Sequence, residues 1–166
     1  YLWDQTITSA TTSPLPYGYG QEWTSAQINA SLCTHSDLAH YGHGTHVTGI
    51  AAGNGLANGT HYGISSEADI IVVALDFNKN GTIIADAANY IFNKAALLGK
   101  PCVINASVGN YYGSHDGTDL EAQLIDNMIG PTKPGKVIVA AAGNAGNIKY
   151  HTKTTVNGID TNFTWI

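Results

Sequence analysis

A histidine flanked by two glycines is the strongest chemical feature of the sequence. His43 lies between Gly42 and Gly44, and residues 47–53 that follow are mostly small. The glycines indicate a turn, and the small residues predict a helix that packs closely against a sheet. His43 is therefore expected near a helix N-terminus, where unsatisfied N–H groups and the helix dipole disfavour the imidazolium ion. A neutral imidazole there is suited to act as a general base, and such a base needs a nucleophile to activate.

His43 is also one of three closely spaced histidines, a residue type that often binds metal ions. His40, His43 and His46 are spaced by three, but Gly42 and Gly44 argue against one continuous helix through them. No glutamate completes a His-Glu-x-x-His pattern, so no metal is predicted, and a histidine-rich metal-binding domain is the weakest hypothesis. His46 is expected to pack in the second helical turn. The other histidines are interpreted as surface or turn residues: His35, His61, His115 and His151.

Three motifs follow one another along the chain. Residues 43–49 read His-Gly-Thr-His-Val-Thr-Gly, residues 101–109 read Pro-Cys-Val-Ile-Asn-Ala-Ser-Val-Gly, and residues 137–146 read Val-Ile-Val-Ala-Ala-Ala-Gly-Asn-Ala-Gly. In this order they resemble the histidine motif, the cleft-lining strand and the oxyanion-hole segment of the subtilisin-like serine proteases. The resemblance covers about residues 3–146, with Thr48 where alanine is more usual.

This resemblance implies a role for each matching residue. His43 is expected to be the general base, and the side-chain amide of Asn144 is expected to donate to the oxyanion of an acyl-transfer intermediate. Two segments are expected to flank the primary specificity pocket and to bind an extended peptide through main-chain hydrogen bonds. Their residues are Ser107, Val108 and Gly109, and Ala141, Ala142 and Gly143. The predicted partner is therefore a peptide or protein substrate.

Two parts of the family's catalytic triad do not occur in the 166 residues. Neither the Gly-Thr-Ser-Met-Ala pattern of the serine nor the Asp-Thr-Gly turn of the aspartate is present, so Ser107 is not predicted to be the nucleophile. Asp4 lacks that turn, and Asp37, six residues before His43, is interpreted as structural. The chain is thus predicted to be an incomplete piece of a serine endopeptidase, inactive alone. A pseudoprotease or peptide-binding regulatory module of the same fold is the alternative, although retention of His43 and Asn144 favours an active parent.

The elements between the motifs predict an α/β fold. Residues 70–75 form an unbroken apolar run typical of a strand buried on both faces, and residues 102–105 and 137–142 are the next strands. Helices are predicted over residues 84–98 and 118–128, the second opened by a Thr118 to Glu121 capping box. The expected architecture is a partial subtilisin-like parallel sheet with helices on both faces, in three αβα layers, lacking the Asp-bearing strand and the Ser-bearing helix.

The resemblance also predicts a gap in that sheet. In the family, the Asp-bearing strand lies between the strands that match residues 70–75 and 102–105. Without it, both neighbours would expose unpaired N–H and C=O groups. We expect the gap to close by direct pairing of the two strands, or to accept a strand from another chain. The second route predicts a strand-exchanged oligomer of the isolated chain.

Composition limits the other partners. The net charge of −5 with seven Lys and Arg argues against nucleic acid or an anionic membrane. No apolar run approaches the roughly 18 residues of a spanning helix, and no basic-then-apolar leader opens the chain. Any export signal is therefore expected outside these residues, and a subtilisin-like parent is expected to be extracellular or in the cell envelope rather than cytoplasmic. Cys33 and Cys102 are not predicted to pair, because they are far apart in sequence.

Residues 54–61 match a loop that binds calcium in many subtilisins. No carboxylate lies within this loop, and hard cations favour charged oxygen ligands, so calcium is not predicted and no cofactor is required. We expect residues 1–146 to form the partial peptidase domain and residues 147–166 to begin a β-rich insertion. Residues 3–6 and 18–23 resemble an insertion in the bacterial branch of the family that includes the clostridial germination proteases.

Overall fold

The computed structural model describes residues 1–8, 11–79 and 81–150, together with 153, 155 and 158. The strands are β1 (Leu2–Asp4), β2 (Gln21–Trp23), β3 (Val72–Ala74), β4 (Cys102–Ala106) and β5 (Lys136–Ala140). The helices are α1 (Ser25–Asn29), α2 (His43–Ala52), α3 (Ile83–Leu97) and α4 (Leu120–Asp126), with a 3₁₀ turn at Leu38–His40. Parallel strands alternate with helices, which confirms the predicted partial subtilisin-like α/β class.

The first sheet has the order β2-β1-β3. β1 pairs antiparallel with β2 and parallel with β3, so it lies in the middle of the sheet. Its Trp3 is completely buried and stacks against Tyr17 with ring centroids 4.8 Å apart. The indole N–H of Trp3 donates to the carbonyl oxygen of Tyr19 at 3.0 Å, which satisfies its one polar group. Tyr90 of α3 completes this aromatic cluster, with its ring centroid 5.1 Å from that of Trp3.

The second sheet consists of β4 and β5, parallel and in register from Cys102↔Lys136 to Ala106↔Ala140. Ile104 of β4 packs in a core cluster with Ala88 and Phe92 of α3. Partly buried apolar side chains surround that cluster: Ile91, Cys102, Met128, Ile129 and Ile138. Helix α3 thus contributes to the cores of both sheets and joins them.

The start of α3 depends on a residue from another helix. Its N-cap residue, Thr82, makes no side-chain capping bond, and Glu121 Oε1 instead accepts the N–H groups of Ile84 and Ala85 at 2.7 and 3.1 Å. The predicted Thr118 to Glu121 capping box is therefore wrong. Asp119 caps α4, and the Glu121 carboxylate satisfies the orphan donors of α3. Helix α1, by contrast, begins with a capping box formed by Thr24 and Gln27.

The predicted closure of the sheet by direct pairing is wrong. Within the described residues, β3 and β4 belong to separate sheets and do not pair. The prediction that these strands are buried on both faces is also wrong, because β3 is only half-buried and Val103 of β4 is 69% exposed. Within the described residues the α3 cluster covers only the Ile104 side of β4, which leaves the side that carries Val103 open.

Other predictions concern the chain as a whole. Cys33 and Cys102 are both free thiols, as expected. In the part of the chain that the structure describes, no helix is long and apolar enough to cross a membrane. Most of the predicted insertion, from 151 onwards, lies outside the described residues, and the division at residue 146 stays a prediction.

Candidate active site

His43 is the first residue of α2, so its predicted position at a helix N-terminus is confirmed. Tyr41 and Gly42 precede it in left-handed conformations, with φ of 57° and 69°. These two residues separate the 3₁₀ turn containing His40 from α2, as the glycines predicted, and leave His43 and His46 on one helix. The described residues contain no cluster of three His, Cys, Asp or Glu side chains able to hold a metal ion.

Helix α2 is held mainly at its ends. None of its residues is buried, and His46 is exposed, so the prediction that His46 packs in the second turn is wrong. At the N-terminal end, Asp37 Oδ2 accepts the N–H and the hydroxyl of Thr45, both at 2.8 Å. These two hydrogen bonds hold the pKa of Asp37 below its ordinary value.

Backbone bonds secure the other end of α2. The N–H groups of Gly63, Ile64 and Ser65 donate to carbonyl oxygens of the last turn and its cap, at 2.7 to 3.0 Å. A side chain on Gly63 would collide with backbone atoms of the helix end, so the approach requires glycine. The middle of α2 remains open on the side that lines the gap between the sheets.

That gap is a trench of about 660 Å³ between β3 and β4. Its walls include both strand edges and one side of α2 along its length, and three predicted site residues line it: His43, Ser107 and Val108. The remaining predicted site residues do not line it: Gly109, Ala141, Ala142, Gly143 and Asn144. The structure therefore places the proposed base at the trench and the proposed oxyanion donor outside it.

The two predicted substrate-binding segments leave the same end of the second sheet. Because β4 and β5 are parallel and in register, their carboxyl ends coincide, and the N–H of Ala141 donates to the carbonyl oxygen of Ala106 at 3.0 Å. Ser107 and Gly109 follow one strand while Gly143 and Asn144 follow the other. Gly143 has φ of 88°, and Asn144 is exposed. Ligand sites in parallel sheets collect at such strand ends.

Tyr111 is a residue at this edge that the sequence reasoning missed. Its ring stacks on that of Tyr150, with centroids 4.1 Å apart and planes 3° apart. Its hydroxyl accepts the N–H of Ala145 at 3.2 Å and occupies the space that a side chain on Gly143 would need. Tyr111 therefore contacts both neighbours of Asn144. The one available signal was its position, two residues after Gly109.

Asp4 and His35 form an acid and imidazole pair away from His43. Asp4 Oδ2 is 2.7 Å from His35 Nδ1, and Asp4 Oδ1 accepts the N–H and hydroxyl of Thr6 at 2.9 and 2.6 Å. Burial alone would raise the pKa of Asp4, but the hydrogen bonds from Thr6 and His35 hold it below its ordinary value. His35, interpreted as a surface or turn residue, is only partly exposed, with 18% of its side chain accessible, because it contacts Asp4.

Comparison with known proteins identifies the family. The model of the subtilase family of peptidases matches residues 19–162. The chain belongs to the subtilase family. It is 34% identical to a subtilisin of Bacillus sp. (strain TA39) over 123 residues, which are 72% of this chain and 27% of the relative. It is 31% identical to a thermophilic serine proteinase of Bacillus sp. (strain AK1) over 160 residues, which are 89% of this chain and 36% of the relative.

A solved structure shares the subtilase fold of this chain. The CspB protease of Clostridium perfringens superposes with a TM-score of 0.67 at 28% identity, covering 89% of this chain and 30% of the protease. This subtilase chain thus spans between 27% and 36% of the length of these relatives. The resemblance to subtilisin-like proteases is confirmed, and its narrower placement in the clostridial branch stays a prediction.

Proposed function

We propose that the protein to which this subtilase chain belongs is a serine endopeptidase that cleaves peptide bonds through an acyl-enzyme. The observation that supports this proposal is the position of His43. It is exposed as the first residue of α2, at one wall of the trench, where its imidazole is accessible to a serine hydroxyl and a substrate. Family membership supports the reaction class.

In the proposed mechanism, His43 removes the proton of a serine hydroxyl supplied by residues outside 1–166. The serine oxygen bonds to the substrate carbonyl carbon, and negative charge develops on the carbonyl oxygen. That oxygen accepts a hydrogen bond from the Asn144 side-chain amide. His43 then returns the proton to the amine as the peptide C–N bond breaks. Water repeats the sequence to release the acyl group as a carboxylic acid.

The orienting carboxylate is also assigned to residues outside this chain. Asp37 is committed to Thr45, and Asp4 is paired with His35, so neither is free to orient His43. The trench, by contrast, lies beside His43, and within the part of the chain that the structure describes the strand edge on either side of it is unpaired. A strand placed there would bring its own side chains next to the base.

The proposed substrate is an extended peptide. Ser107, Val108 and Gly109 would bind it on one side and Ala141, Ala142 and Gly143 on the other, through backbone groups that continue beyond the paired strand ends. Gly109 has open space around its α-carbon, which suits close approach of a peptide backbone. We propose that no cofactor is required, since the loop of residues 54–61 contains no carboxylate to hold a calcium ion.

A serine-directed fluorophosphonate probe tests the assignment of the base in the complete protein. We expect the unmodified protein to be labelled and His43→Ala to lose labelling, because an unactivated serine reacts slowly. His61→Ala, which removes an exposed imidazole outside the trench, is the matched control and should label normally. Full labelling of His43→Ala would contradict the assignment, and no labelling of the unmodified protein would favour the pseudoprotease alternative.

Steady-state kinetics test the oxyanion donor. Asn144→Ala should lower kcat by about 10²–10³, the cost of losing such a donor in a subtilisin, with little change in KM. An increase in KM at constant kcat would instead make Asn144 a binding residue.

The 166-residue chain alone is proposed to be inactive and to self-associate. It contains no serine motif, and the edges of β3 and β4 would accept a strand from another copy. Hydrolysis of a casein substrate by the purified chain would contradict the proposed inactivity, and a monomer by analytical ultracentrifugation would contradict the proposed self-association.

Two further parts of the proposal are an extracellular or cell-envelope location and membership in the clostridial branch. The second is supported by the similarity to the CspB protease.

A further inference from the structure

The position of His43 depends on a helix with little packing of its own. Helix α2 has no buried residue, and its N-terminal end is attached through Asp37, which accepts two hydrogen bonds from Thr45 and whose carbonyl oxygen accepts the N–H of Gly42 at 3.1 Å. Thr45 is two residues after His43. Asp37 therefore anchors the end of α2 that carries His43.

Asp37 is itself on a loop, and the nearest fixed point on that loop is His35. Two residues of chain span at most about 7 Å, so a fixed His35 confines Asp37 to a small region. His35 is fixed by Asp4, whose side chain is 7% exposed and whose oxygens are engaged by His35 and Thr6. Breaking a hydrogen bond to a carboxylate with this degree of burial is costly, because an oxygen of Asp4 would lose its donor.

Asp4 in turn belongs to a buried strand that is paired on both sides. It ends β1, the central strand of the first sheet, next to the completely buried Trp3. Its backbone pairs with β2 on one side and with β3 on the other, in the registers Asp4↔Gln21 and Asp4↔Ala74. The contacts thus form a continuous series from the sheet to the helix that carries the base.

We propose that Asp4 and His35 are positioning residues that hold the loop before α2, through Asp37 and Thr45, so that His43 is kept in its catalytic position. This inference rests on the proposed function for its catalytic meaning, but the contacts it invokes are testable without catalysis. It assigns a task to an acid and imidazole pair that takes no part in the proposed chemistry.

Hydrogen exchange of the Thr45 amide, followed by NMR in the 166-residue chain, tests the proposal. His35→Leu removes the donor to Asp4 and should accelerate exchange at Thr45 about tenfold, because its acceptor Asp37 is no longer held. His35→Asn places an amide N–H near the position of Nδ1 and should restore most of the protection. His61→Leu, which removes an imidazole elsewhere, should change nothing at Thr45.

Two results would overturn the proposal. Unchanged exchange at Thr45 in His35→Leu would show that the loop is held by other contacts. Equal acceleration at Ala88 and Phe92 of α3, or unfolding of the variant, would show that the pair stabilises the whole fold rather than this loop. In the complete protein, His35→Leu should lower kcat more than it raises KM, with recovery in His35→Asn. Failure of the proposed function would appear separately, as undiminished probe labelling of His43→Ala.

Discussion

Helices α3 and α2 are held in the protein in opposite ways. Helix α3 has seven buried residues, from Ile83 to Ala95, and lies across both sheets, whereas α2 has none. Each helix receives a carboxylate from elsewhere at its N-terminal end, Glu121 for α3 and Asp37 for α2. The difference suits their tasks. Burial fixes the helix that builds the scaffold, while hydrogen bonds at the ends fix the helix that must leave His43 accessible.

Truncation of core residues should separate the two helices most clearly. Phe92→Ala removes a side chain that is 1% exposed in the cluster with Ala88 and Ile104, and should lower the free energy of unfolding by about 3–5 kcal/mol. Ile50→Ala in α2 truncates a side chain that is 58% exposed, and should cost about 0.5 kcal/mol or less. Urea denaturation measures both values. Similar losses in the two variants would contradict the contrast between buried and end-held helices.

The carboxylate that caps α3 gives a smaller effect. Glu121→Ala should lower the free energy of unfolding by about 1 kcal/mol, because the N–H groups of Ile84 and Ala85 lose their shared acceptor. Glu121→Gln keeps an oxygen at that position and is the control, with a loss expected to be less than half as large. If the two variants were equally stable, charge rather than the hydrogen bond would be what α3 requires.

The smallest expected effect is a dependence of stability on pH. The pKa of Asp4 is lower in the folded protein than in the unfolded chain. Its ionised carboxylate therefore contributes fully to the free energy of unfolding above the ordinary pKa of about 3.9, and this contribution is lost as the pH falls through the folded pKa. The midpoint of urea unfolding should therefore decline below about pH 4 more steeply in the unmodified chain than in Asp4→Asn. Parallel declines in the two proteins would assign the pH dependence to other carboxylates.

The sequence predicted the two helices unequally for a physical reason. Helix α3 was predicted over residues 84–98 and is observed at Ile83–Leu97. The prediction was close because the helical spacing of its apolar residues corresponds to the face that it buries. For α2 the small residues 47–53 predicted the helix and the glycines placed His43 near its start, but its bounds of His43–Ala52 could not be read from an apolar pattern because none of its residues is buried. Its first turn is instead stabilised by Asp37, eight residues before Thr45.

Non-local pairs account for most of the other differences. His35 and Asp4 are 31 residues apart, so nothing in the local sequence indicated that they meet. Glu121 matched a capping box by spacing alone, although its carboxylate serves a helix 36 residues earlier. The strand predicted over residues 70–75 was too long and too buried, because among the described residues only Val72–Ala74 pairs, and it pairs with β1 alone.

The open face of the second sheet has a practical consequence. Val103, Val137 and Val139 lie on the side opposite Ile104 and are 69%, 50% and 53% exposed. Sulfate salts strengthen the association of such apolar surfaces because they are excluded from them. The purified chain should therefore precipitate at a lower ammonium sulfate concentration than Val103→Thr or Val137→Thr variants. Salting-out and retention on hydrophobic resin would then report directly on whether that face is covered in any larger assembly.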